Sequence, residues 1–86
     1  MIALPPNVSS RWIATLPNTQ LLEVESQLYA DFHSRETAEK RRAGSRYVLL
    51  QGPPALITAW QQWLLVNNEA RARGVKVVRV DRAARD

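Results

Sequence analysis

The sequence has no cysteine and a single histidine, His33. Without cysteine the chain can form no disulfide, no thiolate metal site and no cysteine nucleophile. One histidine excludes a multi-histidine metal site and a catalytic histidine pair. The glutamates fall on positions that are predicted to be solvated, so no pair of carboxylates is expected to share a cleft. We therefore predict no catalytic residues, no metal site and no enzyme activity.

Glycine is also scarce, with three in 86 residues, and no glycine-rich phosphate-binding motif is present. Gly52 follows an apolar run, as the first glycine of a phosphate loop would. The next two residues are Pro53 and Pro54, which lack the N–H groups that bind phosphate at a helix N-terminus. No cofactor and no small-molecule substrate are therefore expected.

The sequence also contains no long apolar run. The longest apolar stretch, residues 55–66, contains Gln61 and Gln62 and is shorter than the roughly 20 residues needed to span a membrane. The first residues carry no basic group before Pro5 and Pro6, unlike a signal peptide. We expect no membrane span and, given the absence of cysteine, a cytoplasmic location.

The charge is distributed unevenly along the chain. Residues 1–34 have a net charge of −2 and residues 35–86 a net charge of +6, which gives the overall +4. A positive surface of this kind suits an acidic protein face, nucleic acid or anionic lipid. The second part of the chain is therefore predicted to carry the working surface.

Three short apolar runs predict β-strands. The first, residues 12–16, ends at Pro17, and the second, residues 46–51, ends at Gly52. The third, residues 75–80, is rich in valine.

Apolar residues spaced three or four positions apart predict two amphipathic helices between these strands. The first helix either continues to Ala43 or is followed by a second short helix that begins near Ser34. The second helix begins at Pro53 and Pro54 and ends at Gly74. The apolar face of the first helix consists of Leu21, Val24, Leu28 and Phe32.

The order β-α-β-α-β favours right-handed crossovers and parallel strand pairing. We therefore predict a single small α/β domain, with a three-stranded, mainly parallel sheet and two helices, the first of them long or broken. The domain covers residues 10–80, between an extended arm at residues 1–9 and a polar tail at residues 81–86.

In a parallel sheet, the ends of both helices and the starts of the following strands share one edge. This topology would bring seven basic residues together into one basic edge, which is our candidate interaction site. An alternative is that these charges complement the helix dipoles and keep the chain soluble. The basic edge consists of Lys40, Arg41, Arg42, Arg46, Arg71, Arg73 and Lys76.

Two aromatic residues and one amide are further interaction candidates. Trp63 and Tyr47 either fill the core or present a ring to a partner. Asn67 continues the helical face of Trp63, so its amide either bonds to the backbone or is aimed at a partner.

The last third of the sequence resembles the small rod-capping and core linker polypeptides of cyanobacterial phycobilisomes. A tryptophan-bearing helix, Trp60-Gln61-Gln62-Trp63, leads into a basic turn that ends at Gly74 and then into residues 75–80. Residues 12–17 are also similar. The family's usual pair of glycines is here a single Gly74. The resemblance implies a non-enzymatic basic protein among acidic pigment proteins.

These observations predict a non-catalytic, small basic protein-interaction module. It would serve as an accessory or linker subunit of a larger assembly, which the resemblance implies to be photosynthetic, with an acidic protein surface or a second copy as its partner. The alternative is an RNA- or DNA-binding protein that uses the basic edge formed by residues 40–46 and 71–76.

Overall fold

The structure is a computed structural model and describes residues 3–77. These residues form three α-helices, which we call α1 (Ser10–Ala14), α2 (Asn18–Ala43) and α3 (Pro54–Ala72). Two 3₁₀ turns, Gly44–Arg46 and Leu49–Gln51, connect α2 to α3. Residues 3–77 contain no β-strand, so the fold of this part of the chain is all-α.

Helix α2 is continuous, which decides between the two alternatives left open by the sequence. Its four predicted core residues, which lie on one face, are all buried. The helix ends at Ala43, and Gly44 follows with φ 60°. Glycine adopts this left-handed conformation without the steric strain that a side chain would cause, so it terminates the helix after a basic last turn.

Helix α3 folds back along α2 to form an antiparallel helical hairpin. Near the middle, the rings of Phe32 and Trp63 stack with their centroids 5.8 Å apart. At one end, Arg73 lies within hydrogen-bond distance of Asn18 at the start of α2. Towards the other end, Pro53 and Leu56 at the start of α3 line one cleft together with Glu39 and Arg42 near the end of α2.

Two buried clusters fill the space between the helices, and Trp63 packs against both of them. The larger cluster joins α1, the first part of α2 and the last part of α3, and the smaller one lies nearer the turn. Because the short α1 buries its apolar side in the larger cluster, tertiary packing stabilises a helix that would be marginal by itself. The larger cluster contains Val8, Ile13, Leu16, Leu21, Val24, Leu28, Val66 and Ala70.

The predicted α/β fold is wrong, and the first strand shows why. Residues 12–14 lie in α1, where the Trp12 N–H donates to the Ser9 side-chain oxygen over 3.2 Å. Ser9 is therefore the N-cap of a helix. A short apolar run fits a strand and a buried helix equally well, so the cap decided the outcome.

The second and third predicted strands are corrected in the same way. In residues 46–51, the N–H of Gln51 donates to the carbonyl of Val48 over 3.0 Å, a local turn that uses backbone groups a sheet would need. Residues 75–77 have no regular structure, and the Val75 N–H donates to the Ala70 carbonyl at the end of α3. Residues 78–80 lie outside the described part of the chain.

Arg73 fixes α1 to the end of the hairpin. Its guanidinium donates to the carbonyl oxygens of Leu16 (2.6 Å), Ile13 (3.2 Å) and Ala14 (3.3 Å). A helix leaves its last carbonyls without intrahelical partners, and here a single side chain supplies the missing donors. Its Nε also donates to Glu69 over 2.7 Å, which orients the guanidinium.

We predict that Arg73→Gln lowers the free energy of unfolding by about 2–3 kcal/mol, because several charge-assisted hydrogen bonds are lost together. The matched control is Arg71→Gln, which removes the same charge two residues away from an exposed position. That control should cost less than about 0.5 kcal/mol. Urea denaturation followed by circular dichroism measures both, and equal losses would show that Arg73 does not hold α1.

Candidate protein-interaction surface

The seven basic residues of the predicted edge form two separate groups. Residues 40–46 lie where α2 meets the turn, and residues 71–76 lie where α3 ends beside the start of α2. Lys40 follows Asn18 by 22 positions, so at 1.5 Å per residue the two ends of the hairpin are about 33 Å apart. The single basic edge was predicted from parallel strands. The antiparallel hairpin places its two halves at opposite ends, so the predicted edge does not form.

At the turn end of the hairpin, two of the four basic residues are already paired with acidic ones. Lys40 lies 3.6 Å from a carboxylate oxygen of Glu36. Arg42 donates two hydrogen bonds to the carboxylate of Glu39. This bidentate contact lowers the pKa of Glu39 and raises that of Arg42.

The other two basic residues at this end, Arg41 and Arg46, are exposed and form no ion pair with any residue in 3–77. The sequence contains no acidic residue between Glu39 and Glu69. Every acidic side chain at the turn end therefore has a cationic partner, while two guanidinium groups remain available.

Two large apolar side chains are also exposed at this end of the hairpin. Val48 is 49% exposed and Leu50 is 67% exposed, the two highest values among the large hydrophobic residues of the described chain. Both lie between α2 and α3, Val48 in extended backbone just before the second 3₁₀ turn and Leu50 within that turn. We define the turn-end surface as Arg41, Arg46, Val48 and Leu50.

A cleft of about 360 Å³ opens next to this surface. Its walls come from the last turn of α2, including Arg42, and from the turn, including Arg46, Tyr47 and Val48. The cleft is large enough for one side chain of a partner and combines charged and apolar walls.

Tyr47, a predicted contact residue, is held in place by α2. Its hydroxyl donates to Glu36 over 2.8 Å, and the Lys40 ammonium lies 5.5 Å from the centre of its ring. Burial, followed by this hydrogen bond and the charges of Glu36 and Glu39, raises the pKa of Tyr47 to about 12. The ring supports the turn, and the Lys40 ammonium lies over one of its faces.

The other two predicted contact residues lie away from the turn-end surface. Trp63 packs between the helices, and its indole N–H donates to Glu25 over 2.7 Å. Asn67 is half-buried in the second half of α3. Neither residue joins the basic groups at either end.

We call the end of the hairpin opposite the turn, where α3 ends beside the start of α2, the terminal end. Its three basic residues differ in whether they have a partner. Arg73 is occupied by α1 and Glu69, as described above. Arg71 and Lys76 are exposed and form no ion pair within residues 3–77. Val75 and Val77 beside them are partly buried and pack against the larger buried cluster.

Among residues 3–77, no group of three or more His, Cys, Asp and Glu side chains is arranged to hold a metal ion. No helix within this range is long and apolar enough to cross a membrane. Acidic side chains here accept hydrogen bonds from side chains of other residues. The pairs are Glu25 with Trp63, Asp31 with Arg35, Glu36 with Tyr47, Glu39 with Arg42 and Glu69 with Arg73.

Sequence reasoning missed the exposure of Val48 and Leu50, because an apolar run before Gly52 was interpreted as a buried strand. It also missed the burial of Glu25, whose position was predicted to be solvated. One signal in the sequence does point to the turn end, namely the absence of acidic residues over positions 40–68. Within that interval the basic residues all precede position 47.

Comparison with protein-family models, with curated proteins and with solved structures gives no match for this chain. The resemblance to phycobilisome linker polypeptides therefore stays a prediction. Two elements on which it was based have a different form in the structure. Residues 12–14 are helical, and residues 75–77 have no regular structure.

We predict a specific alkaline pH dependence from Tyr47. Its pKa is about 12 in the folded chain, against an ordinary value of 10.0, so the phenol binds its proton more tightly when folded. The resulting stabilisation is fully present below pH 10 and is lost as the pH rises through about 12. In Tyr47→Phe, the free energy of unfolding should therefore fall less steeply between these pH values than in the wild type.

Urea denaturation at a series of pH values measures this difference. The comparison at neutral pH corrects for the lost hydroxyl contact, because Tyr47 is protonated there in both folded and unfolded chains. Parallel decline of wild type and variant above pH 10 would show that Tyr47 is not held in this environment.

Proposed function

We propose that this chain is a non-catalytic protein-interaction module, an accessory or linker subunit of a larger assembly. The observation that supports it best is the turn-end surface, where exposed Val48 and Leu50 lie at the same end of the hairpin as two arginines that have no acidic partner within residues 3–77. Protein interfaces combine a desolvated apolar centre with a charged rim, and arginine is enriched in them.

The hydrogen bonding of the polar side chains supports the same proposal. The carboxylates of Glu25, Glu36 and Glu39 each accept a hydrogen bond from a side chain that stabilises the hairpin or its turn. A general acid or base has to be reachable by a substrate. In the structure, these three carboxylates stabilise the hairpin and its turn.

The antiparallel hairpin also favours a protein partner over nucleic acid. A nucleic-acid interface needs basic residues along a continuous path that follows the phosphates. The two basic groups are at opposite ends of α2, so they do not form one continuous path. The Lys40 ammonium lies over one face of the Tyr47 ring, which leaves that face unavailable to a base. A protein partner accounts better for two exposed apolar side chains.

The test is a titration of the full chain with generic single-stranded RNA and DNA at low and moderate salt. A nucleic-acid binder that neutralises several phosphates should lose roughly a thousandfold or more in affinity between the two. We expect no such binding. We also expect the tagged chain, purified from its native host, to retain a protein partner in constant stoichiometry after nuclease treatment.

The opposite result would overturn the proposal. Tight RNA or DNA binding with a steep salt dependence, together with loss of every co-purified protein after nuclease treatment, would make the chain a nucleic-acid binder.

A further inference from the structure

We propose that the turn-end surface binds an acidic segment of a partner protein, one that carries a large apolar side chain between carboxylates. This inference rests on the proposed function and adds to it the chemistry of the partner. It follows from the charges, the exposed apolar groups and the cleft at this end of the hairpin.

The positive charge of the turn-end surface favours a ligand that carries carboxylates. Arg41 and Arg46 are exposed without an acidic partner in residues 3–77, whereas Glu39 is already bound by Arg42. Guanidinium groups present planar pairs of N–H donors that match a carboxylate. An incoming acidic segment thus meets two available guanidinium groups and no competing free carboxylate at this end.

The apolar groups select against a purely ionic ligand. Val48 and Leu50 are exposed in the segment between α2 and α3, and Val48 also lines the adjacent cleft. Covering these side chains removes apolar surface from water, which favours a ligand with an aliphatic or aromatic side chain. Nucleic-acid backbone offers no such group.

A second copy of the chain fits the surface less well. In a two-fold contact each copy presents the same patch, so four arginines would gather in one interface whose defined residues include no acidic side chain. Like charges placed opposite each other in an interface are unfavourable. Charge complementarity therefore favours a different, acidic protein.

The experiment uses the full chain and a short synthetic peptide in which leucines are flanked by glutamates. Binding is measured by fluorescence anisotropy, and amide chemical shifts map the contact. We expect the largest shifts in residues 41–52. A second peptide with serine in place of leucine, at equal charge, should bind at least several-fold more weakly, because it cannot cover the apolar pair.

Three variants locate the site. Arg41→Gln with Arg46→Gln should weaken binding about tenfold, which corresponds to the loss of two moderately strong ion pairs. Val48→Ser with Leu50→Ser should weaken it by a similar factor. The matched control is Arg11→Gln with Arg71→Gln, which removes the same charge from exposed positions at the terminal end. It should change the affinity less than twofold.

Several results would overturn the inference. The first is that the leucine peptide does not bind, or that the serine peptide binds equally well. The second is that the chemical-shift changes concentrate at the terminal end. The third is that the control variant loses as much affinity as the turn-end arginine variant. Tighter binding of single-stranded RNA than of the peptide at the same surface would also overturn it, and so would sedimentation showing that the chain self-associates through the turn end.

The same variants separate this inference from the proposed function. If the chain retains its native protein partner when both turn-end pairs are substituted, the chain is an interaction module that uses another surface, and only the inference fails. If the chain has no protein partner and binds nucleic acid, the proposed function fails as well.

Discussion

The hydrogen bond between Trp63 and Glu25 is the constraint on which the arrangement of the hairpin depends. Glu25 is 1% exposed, and the Trp63 indole N–H donates to it over 2.7 Å across 38 residues of sequence. A buried carboxylate without donors is costly, by several kcal/mol or more. The bond therefore favours one register of α3 against α2, and in that register Trp63 also stacks on Phe32.

This register determines where the charges lie. It places the end of α3 beside α1, where Arg73 satisfies the carbonyls of that short helix. It also places the start of α3 beside the last turn of α2, where Glu36 and Glu39 pair with Tyr47 and Arg42. The groups that remain without a partner in this region are the two arginines and two apolar side chains of the turn-end surface.

The helical elements with a clear period could be predicted from the sequence. The spacing from Leu21 to Phe32 indicated the buried face of α2, and Gly44 after a basic turn indicated its end. The segments predicted as strands are short apolar runs without a period long enough to distinguish helix from strand. Their structure depends on contacts that are distant in sequence, such as Arg73 with the carbonyls of α1.

Only part of the candidate site could be predicted, because its grouping also depends on contacts that are distant in sequence. Composition identified Arg41 and Arg46 as basic residues near a turn, but their grouping with residues 71–76 assumed parallel strands. Glu25 was predicted to be solvated, because a lone glutamate in a helical pattern gives no sign of a tryptophan partner 38 residues away. The ion pairs are local, at i,i+3 or i,i+4, whereas the contacts of Glu25 with Trp63 and of Glu36 with Tyr47 emerge only when distant parts of the chain are placed together.

The most direct test of this account is the distance between the two ends of the hairpin. The chain has no cysteine, so Arg41→Cys with Arg71→Cys allows two spin labels to be attached specifically. Helix α3 alone separates these positions by about 25 Å at 1.5 Å per residue, so pulsed electron resonance should give a distance of about 25 Å or more. A distance near 10 Å, as expected for neighbouring strands at one edge of a parallel sheet, would contradict the antiparallel hairpin and the separate turn-end surface.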